Sequence, residues 1–205
     1  MSRSSFSHNK RQSGFTLVEI AIVLVIIGLI LGGVLQGQSL IDNARYKNFS
    51  KQIDGLRAAI LTFQDQYRGL PGDLLDVSAL NVAATPGNGT GLIGNAQCNV
   101  AGEESCLLWS HLRYAGLITG DPTLTDGTAN IRHSYGGAIA SVGWGTQGNG
   151  INQHKIWVLQ IPGDVAQRYD NEFDDGDASS GNVSNSAAGG ATYNLTTNHT
   201  ILITL

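Results

Sequence analysis

The chain has 205 residues and a formal net charge of −4. That charge is unevenly divided: beyond residue 68, four lysines and arginines stand against twelve aspartates and glutamates. An acidic distal part argues against a nucleic-acid-binding surface, which needs a basic stripe.

The first 14 residues, MSRSSFSHNKRQSG, carry Arg3, Lys10 and Arg11 and no acid. Residues 14–35 then read GFTLVEIAIVLVIIGLILGGVL, an apolar run with a single acid, Glu19. No basic residue lies between Ser13 and Gln36. Residues 15–35 would span roughly 32 Å as a helix, enough to cross a bilayer core of about 30 Å. A carboxylate inside such a run is costly on insertion scales and needs a named partner. The helix itself is read as offering none, whereas a chain terminus just before Phe15 would. An ordinary secretory signal is cut at small residues after its apolar stretch. Here the small residue, Gly14, comes first, so a cut at Gly14–Phe15 would remove the basic leader and keep the helix. The positive-inside rule places the leader in the cytoplasm and the rest of the chain outside. A plain single-span anchor would leave both this junction and Glu19 without a role.

The hexapeptide Gly14-Phe15-Thr16-Leu17-Val18-Glu19 resembles the processing site of type IV prepilins and the related pseudopilins. The resemblance extends over about residues 10–70. It implies cleavage after Gly14 by a membrane aspartyl peptidase, the prepilin peptidase, methylation of Phe15, and Glu19 as the assembly acid. The implied partners are other pilin or pseudopilin subunits, an inner-membrane assembly platform and membrane lipid, with no nucleic acid. The implied location is the bacterial inner membrane, single-pass with the head outside the cytoplasm, and then a periplasmic or extracellular filament. In a helical stack the Glu19 carboxylate of one subunit can meet the Phe15 amine of a neighbour. Desolvation offsets much of the Coulomb gain in such a pair, so it sets axial register more than it adds stability.

Further along, Phe49, Ile53, Leu56, Ile60, Phe63 and Tyr67 recur at spacings of four and three, one face of a helix. Lys47, Lys51, Asp54, Arg57 and Asp65 occupy the opposite positions. Gly69-Leu70-Pro71-Gly72-Asp73 ends the pattern, because Gly and Pro are poor helix formers. A helical spine is therefore predicted over residues 15–68. It comprises a membrane and assembly part at 15–36 and an amphipathic continuation at 37–68, followed by a head at 69–205. The stripe alone is compatible with packing on the chain's own head or on neighbours; in type IV pilins the second half does the former. Gly28, Gly32, Gly33 and Gly37 either create small faces for close helix approach or weaken the helix, each costing up to about 1 kcal/mol relative to alanine.

Gly, Asn, Ser and Thr dominate the head. Short β-rich runs at 156–161 and 200–205, and turn clusters at 85–89 and 145–150, predict a loop-rich antiparallel sheet. The fold class is α+β: a long N-terminal helical spine whose second half packs on this sheet. One internal helix is predicted over 103–118, with Glu103 and Glu104 at its start and Gly116 near its end. Leu108, Leu112 and Leu117 are expected to face the core, and His111 to be structural. The Trp109-x-His111-Leu112 run and the Tyr67-x-x-Leu70-Pro71-Gly72-Asp73 turn resemble segments shared by one group of pilin-like proteins.

Cys98 and Cys106 are expected to form a disulfide, which for so short a loop contributes about 2–3 kcal/mol. A metal pair fits them poorly, with no second Cys or His pair nearby. Asp170, Asp174, Asp175 and Asp177 are candidate Ca²⁺ ligands, oxygen donors close together with a turn glycine. The EF-hand glutamate at the twelfth position is missing, and a solvated acidic turn is the alternative. No other cofactor is expected. His8, His111, His133, His154 and His199 are scattered without an HExxH pair, and there is no GxSxG or Walker loop. No catalytic residue is therefore expected. The chain reads as a structural subunit of a type IV pilus-like filament. The alternative is a minor or tip pseudopilin of a type II secretion system whose head binds a surface or a secreted substrate.

Overall fold

A computed structural model describes residues 15–94, 97–146, 148–187 and 190–205; the leader and Gly14 lie outside the described residues. The chain divides into two compact units, Met1–Ala44 and Arg45–Leu205. In the first, helix α1 (Leu17–Tyr67) begins and carries the apolar run from Leu17 onward. Its large side chains are exposed there, Leu17 at 90 % and Leu29 at 74 %. The helix is unbroken through Gly28, Gly32, Gly33 and Gly37. A Cβ added at any of these four would meet open space.

In the second unit the remainder of α1 is part of the core. Tyr46, Phe49, Ile53, Leu56, Ala59, Ile60 and Phe63 are buried, which resolves the stripe in favour of packing on the chain's own head. Lys47, Lys51, Asp54 and Asp65 remain exposed, and Arg57 is half-buried. Arg57 Nη2 donates to Thr204 O at 2.7 Å, tying the polar side of the helix to the last strand. The helix stops at Tyr67, and Arg68 turns the chain with φ +57°, a conformation that usually calls for glycine.

The sheet has five antiparallel strands: β1 (Ile131–Arg132), β2 (Ala138–Gly145), β3 (Gln153–Pro162), β4 (Val183–Asn185) and β5 (Asn198–Thr204), in spatial order β1-β2-β3-β5-β4. The two predicted β-rich runs are the central pair, with Ile156 opposite Ile203 and Val158 opposite Ile201. Their register shifts between Val158 and Ile161, where Gln160 takes φ +58°. A left-handed residue at a bulge leaves the ladder and lets Ile161 return to the inner face. Ile139, Val142, Ile156, Val158, Ile161, Ile201 and Ile203 join Phe49, Ile53 and Ile60 in one core. Phe49 sits at its aromatic centre, edge-on to Tyr169 at 5.3 Å and to His133 at 5.7 Å between ring centroids.

Helix α2 (Glu104–Tyr114) fills part of the predicted 103–118 segment. It ends early because Gly116, at φ +70°, reverses the chain and Leu117 N–H bonds back to Leu112 O at 3.0 Å, a Schellman-type stop. Leu108 and Leu112 are fully buried, and Leu117 packs partly buried against the core. Cys98 and Cys106 form a disulfide with Cα atoms 4.6 Å apart, fixing the preceding loop to α2. A third helix, α3 (Gly163–Phe173), was not anticipated by the sequence reading. Its buried side chains Val165, Ala166 and Tyr169 do repeat at helical spacing. Polar neighbours and the adjoining acidic run mask that pattern.

Candidate functional site at the start of the apolar helix

Thr16 precedes the first residue of α1, and its side chain organises the helix start. Thr16 Oγ1 accepts the Glu19 N–H at 3.2 Å. In return Glu19 Oε2 accepts the Thr16 N–H at 2.8 Å and the Thr16 hydroxyl at 3.0 Å. This is a reciprocal capping box, which satisfies two backbone donors that no helical carbonyl can reach. The expectation that Glu19 has no partner within its helix is therefore corrected. The signal was present in the sequence as Thr-x-x-Glu before an apolar run. A carboxylate in the first turn also faces the positive end of the helix dipole.

Phe15 adjoins the cap and is 84 % exposed. The amide that Glu19 holds belongs to the Phe15–Thr16 peptide bond, so a cut between Gly14 and Phe15 leaves the box intact. After such a cut the arrangement would present, within five residues, an exposed Phe15 side chain, a new amine and the Glu19 carboxyl group.

The other candidate residues lie in the head. His111 is fully buried and stacked against Phe63. Its Nδ1 accepts the Gly72 N–H at 2.9 Å and its Nε2–H donates to Thr85 O at 2.8 Å. The two segments that share a resemblance to one pilin-like group thus meet through this ring. Asp73, from the same turn, accepts Thr90 N–H at 2.9 Å and Gly91 N–H at 2.8 Å. His133 accepts the Tyr135 N–H and donates to Leu159 O. His154 accepts the Ile93 N–H at 3.1 Å. Burial pushes the affinity of all three rings for a second proton down. His199 sits beside Asn185, with 3.0 Å between Asn185 Nδ2 and His199 Nδ1. His8 lies outside the described residues. These are structural duties, as expected for His111.

Asp170 occupies the last turn of α3 and is fully buried; Asp174 and Asp175 follow it. One carboxylate oxygen from each lies within 4.8 Å of the others. Asp170 Oδ1 accepts Gly176 N–H at 3.0 Å, and Asp174 Oδ2 accepts Val183 N–H at 2.7 Å. Asp175 is held by Asp177 N–H and by the Ser180 hydroxyl. Asp177 is not in this group; it caps its own turn through Ser179. Burial holds the Asp170 carboxyl above the usual carboxylate range.

With this geometry in view, residues 9–35 match the family described as the prokaryotic N-terminal methylation motif. That is the prepilin-type signature of type IV pilins and pseudopilins. The motif supports a type IV pilin- or pseudopilin-like precursor and suggests a structural subunit. The signature implies in general assembly with other pilin subunits and cleavage by prepilin peptidase, and with the long apolar helix it fits membrane anchoring. Comparison with curated proteins and with solved structures gives no match.

Proposed function

We propose that this protein is a structural subunit of a type IV pilus-like filament. In this reading prepilin peptidase cuts at Gly14–Phe15 and methylates Phe15. The apolar part of α1 then leaves the bilayer for a bundle of like helices. The transfer exchanges lipid for neighbouring apolar side chains, so the helix never meets water. Burial worth about 25 cal/mol per Å² keeps it in the bundle once lipid is gone. The reading rests chiefly on an apolar helix with exposed side chains, preceded by Phe15 and a Thr16–Glu19 cap, in a stretch with no basic residue between Ser13 and Gln36. Orientation follows the basic leader: head outside the cytoplasm, first in the periplasm and then in a filament.

Mass spectrometry of the N-terminus of the assembled protein tests it. An N-methylated Phe15 is expected, and a filament built from chains that still carry residues 1–14 would overturn it. Glu19→Leu should also be excluded from filaments, and its normal incorporation would sink the register role of Glu19.

A second reading, a minor or tip pseudopilin of a type II secretion system, draws support from the head. Its loops expose isolated apolar side chains such as Leu75, Val82 and Leu195, on a surface rich in acids. Immunogold labelling separates the two: label along the whole filament supports the first reading, and label confined to its end supports the second.

A further inference from the structure

Helix α1 changes environment at one position. Every α1 residue before Tyr46 is exposed except the half-buried Gly37, whereas Tyr46, Phe49 and Ile53 are buried. The exposed stretch also carries Gly28, Gly32, Gly33 and Gly37, and glycine is the poorest helix former after proline. A helix, once opened, unwinds residue by residue. Loosening that begins in this stretch would next draw out Tyr46 and then Phe49, the aromatic centre of the core. Side chains from two other stretches of chain meet α1 at this boundary. From α3, Glu172 accepts the Tyr46 hydroxyl, and the Arg168 guanidinium lies over the Tyr46 ring, 3.7 Å from its centroid. Arg168 and Glu172 are about one turn apart and share a face of α3. Tyr169, between them in sequence, meets Phe49 instead. From the turn between β1 and β2, Ser134 Oγ donates to Arg45 O at 2.9 Å, and Ser134 N–H donates to Gln52 Oε1 at 3.2 Å. One serine thereby holds two points about two helical turns apart.

We propose that α3 and the β1–β2 turn form a clasp on α1 at Arg45 and Tyr46, which keeps unwinding of the exposed stretch from entering the core. Burial of the Tyr46 ring calls for neither a carboxylate on its hydroxyl nor a serine on the preceding carbonyl. Both contacts act on the boundary itself. A hydroxyl that donates to a carboxylate makes a stronger bond than one between neutral groups. A guanidinium over the aromatic face adds electrostatic attraction. Local opening of a helix costs what its contacts at that point are worth, and here several converge on a single turn. With the clasp closed, bending or pulling of the apolar stretch is absorbed ahead of Arg45, and the packing of Phe49 is undisturbed. The clasp belongs to the single chain and acts with or without a filament.

The competing account is that burial of the Tyr46 ring alone sets the boundary. Amide hydrogen exchange on the full chain in nonionic detergent, read by mass spectrometry of peptides covering residues 36–60, separates the two. In wild type, amides between Gly37 and Arg45 should exchange quickly, and protection should rise sharply over the next turn. Tyr46→Phe keeps the buried ring and the guanidinium above it but removes the hydroxyl. It should lower protection between Tyr46 and Ser50 by about tenfold to a hundredfold, the range of a hydrogen bond to a charged group. Amides from Ile53 onward should keep their wild-type rates. Glu172→Ala should have the same effect, and the double variant no more than either change alone, because both delete one bond. Ser134→Ala, which frees Arg45 O, should lower protection further when added to Tyr46→Phe. A boundary that stays in place in Tyr46→Phe and Glu172→Ala would overturn the clasp in favour of ring burial. An equal loss of protection throughout residues 46–60 would overturn it as well, by showing that these side chains support the whole core rather than its edge.

Discussion

Acidification should weaken this head through its histidines, and His111 allows the effect to be isolated. His111, His133 and His154 each use one ring nitrogen to accept a backbone N–H, from Gly72, Tyr135 and Ile93 respectively. A protonated ring cannot accept, and burial already lowers the folded-state pKa of all three. The unfolded chain therefore binds protons first. Stability is complete above the unfolded value of about 6.5 and falls as pH drops below it, towards the lower folded-state pKa. The limiting slope is about 1.4 kcal/mol per pH unit for each histidine that stays neutral in the fold. His111 and His133 are almost fully buried and should approach that limit, while the partly exposed His154 should contribute less. Two such rings make a loss of about 2–3 kcal/mol between pH 7.5 and 5.5, a large share of the 5–15 kcal/mol typical of a domain. His111→Phe should keep the contact with Phe63 but strand the buried Gly72 N–H, costing about 1–3 kcal/mol at neutral pH. It should also flatten the acid dependence by the share of one histidine. Denaturant unfolding of wild type and variant at both pH values measures all of this. Equal acid slopes in the two proteins would refute the assignment of His111 as a neutral acceptor.

Thr16→Ala should lose the cap at the start of α1, worth about 1 kcal/mol, read as helix fraying by amide exchange. Glu19→Gln should keep an acceptor for Thr16 while removing the charge. If it assembles like wild type, the cap and not the carboxylate is what filament building requires. Phe49→Ala should cost about 3–5 kcal/mol in thermal or denaturant unfolding, because it empties the point where α1, α3 and the sheet meet. Cys98→Ser should lose about 2–3 kcal/mol, and added reductant should reproduce the loss in wild type without affecting the variant.

The spine was legible because its periodicity is strong: the stripe from Phe49 to Phe63 is buried residue for residue. The central strands were legible because β3 and β5 supply dense runs of β-branched and apolar residues. Helix α3 was not, since only Val165, Ala166 and Tyr169 mark its inner face among polar residues. Its last turn was consequently read as part of an acidic loop, although Asp170 is a buried helical residue. Strand β2 is equally hard to see, because Gly143 and Gly145 dilute its pattern. At the helix start the residues were all named, but their relation was not. Glu19 was weighed as a charge seeking the amine of a chain terminus at Phe15, whereas in the structure Thr16 is its hydrogen-bond partner. His111 was expected to be a half-buried structural residue of the predicted internal helix, and it is fully buried. Its role in joining the Leu70-Pro71-Gly72-Asp73 turn to the loop at Thr85 depends on long-range contact, which spacing does not encode.

Both margins of the sheet are its shortest members, two residues in β1 and three in β4. An unpaired margin that brief offers almost no ladder for a foreign strand to extend. Heads crowded side by side at very high local concentration can therefore brush past one another without fusing into a continuous ribbon.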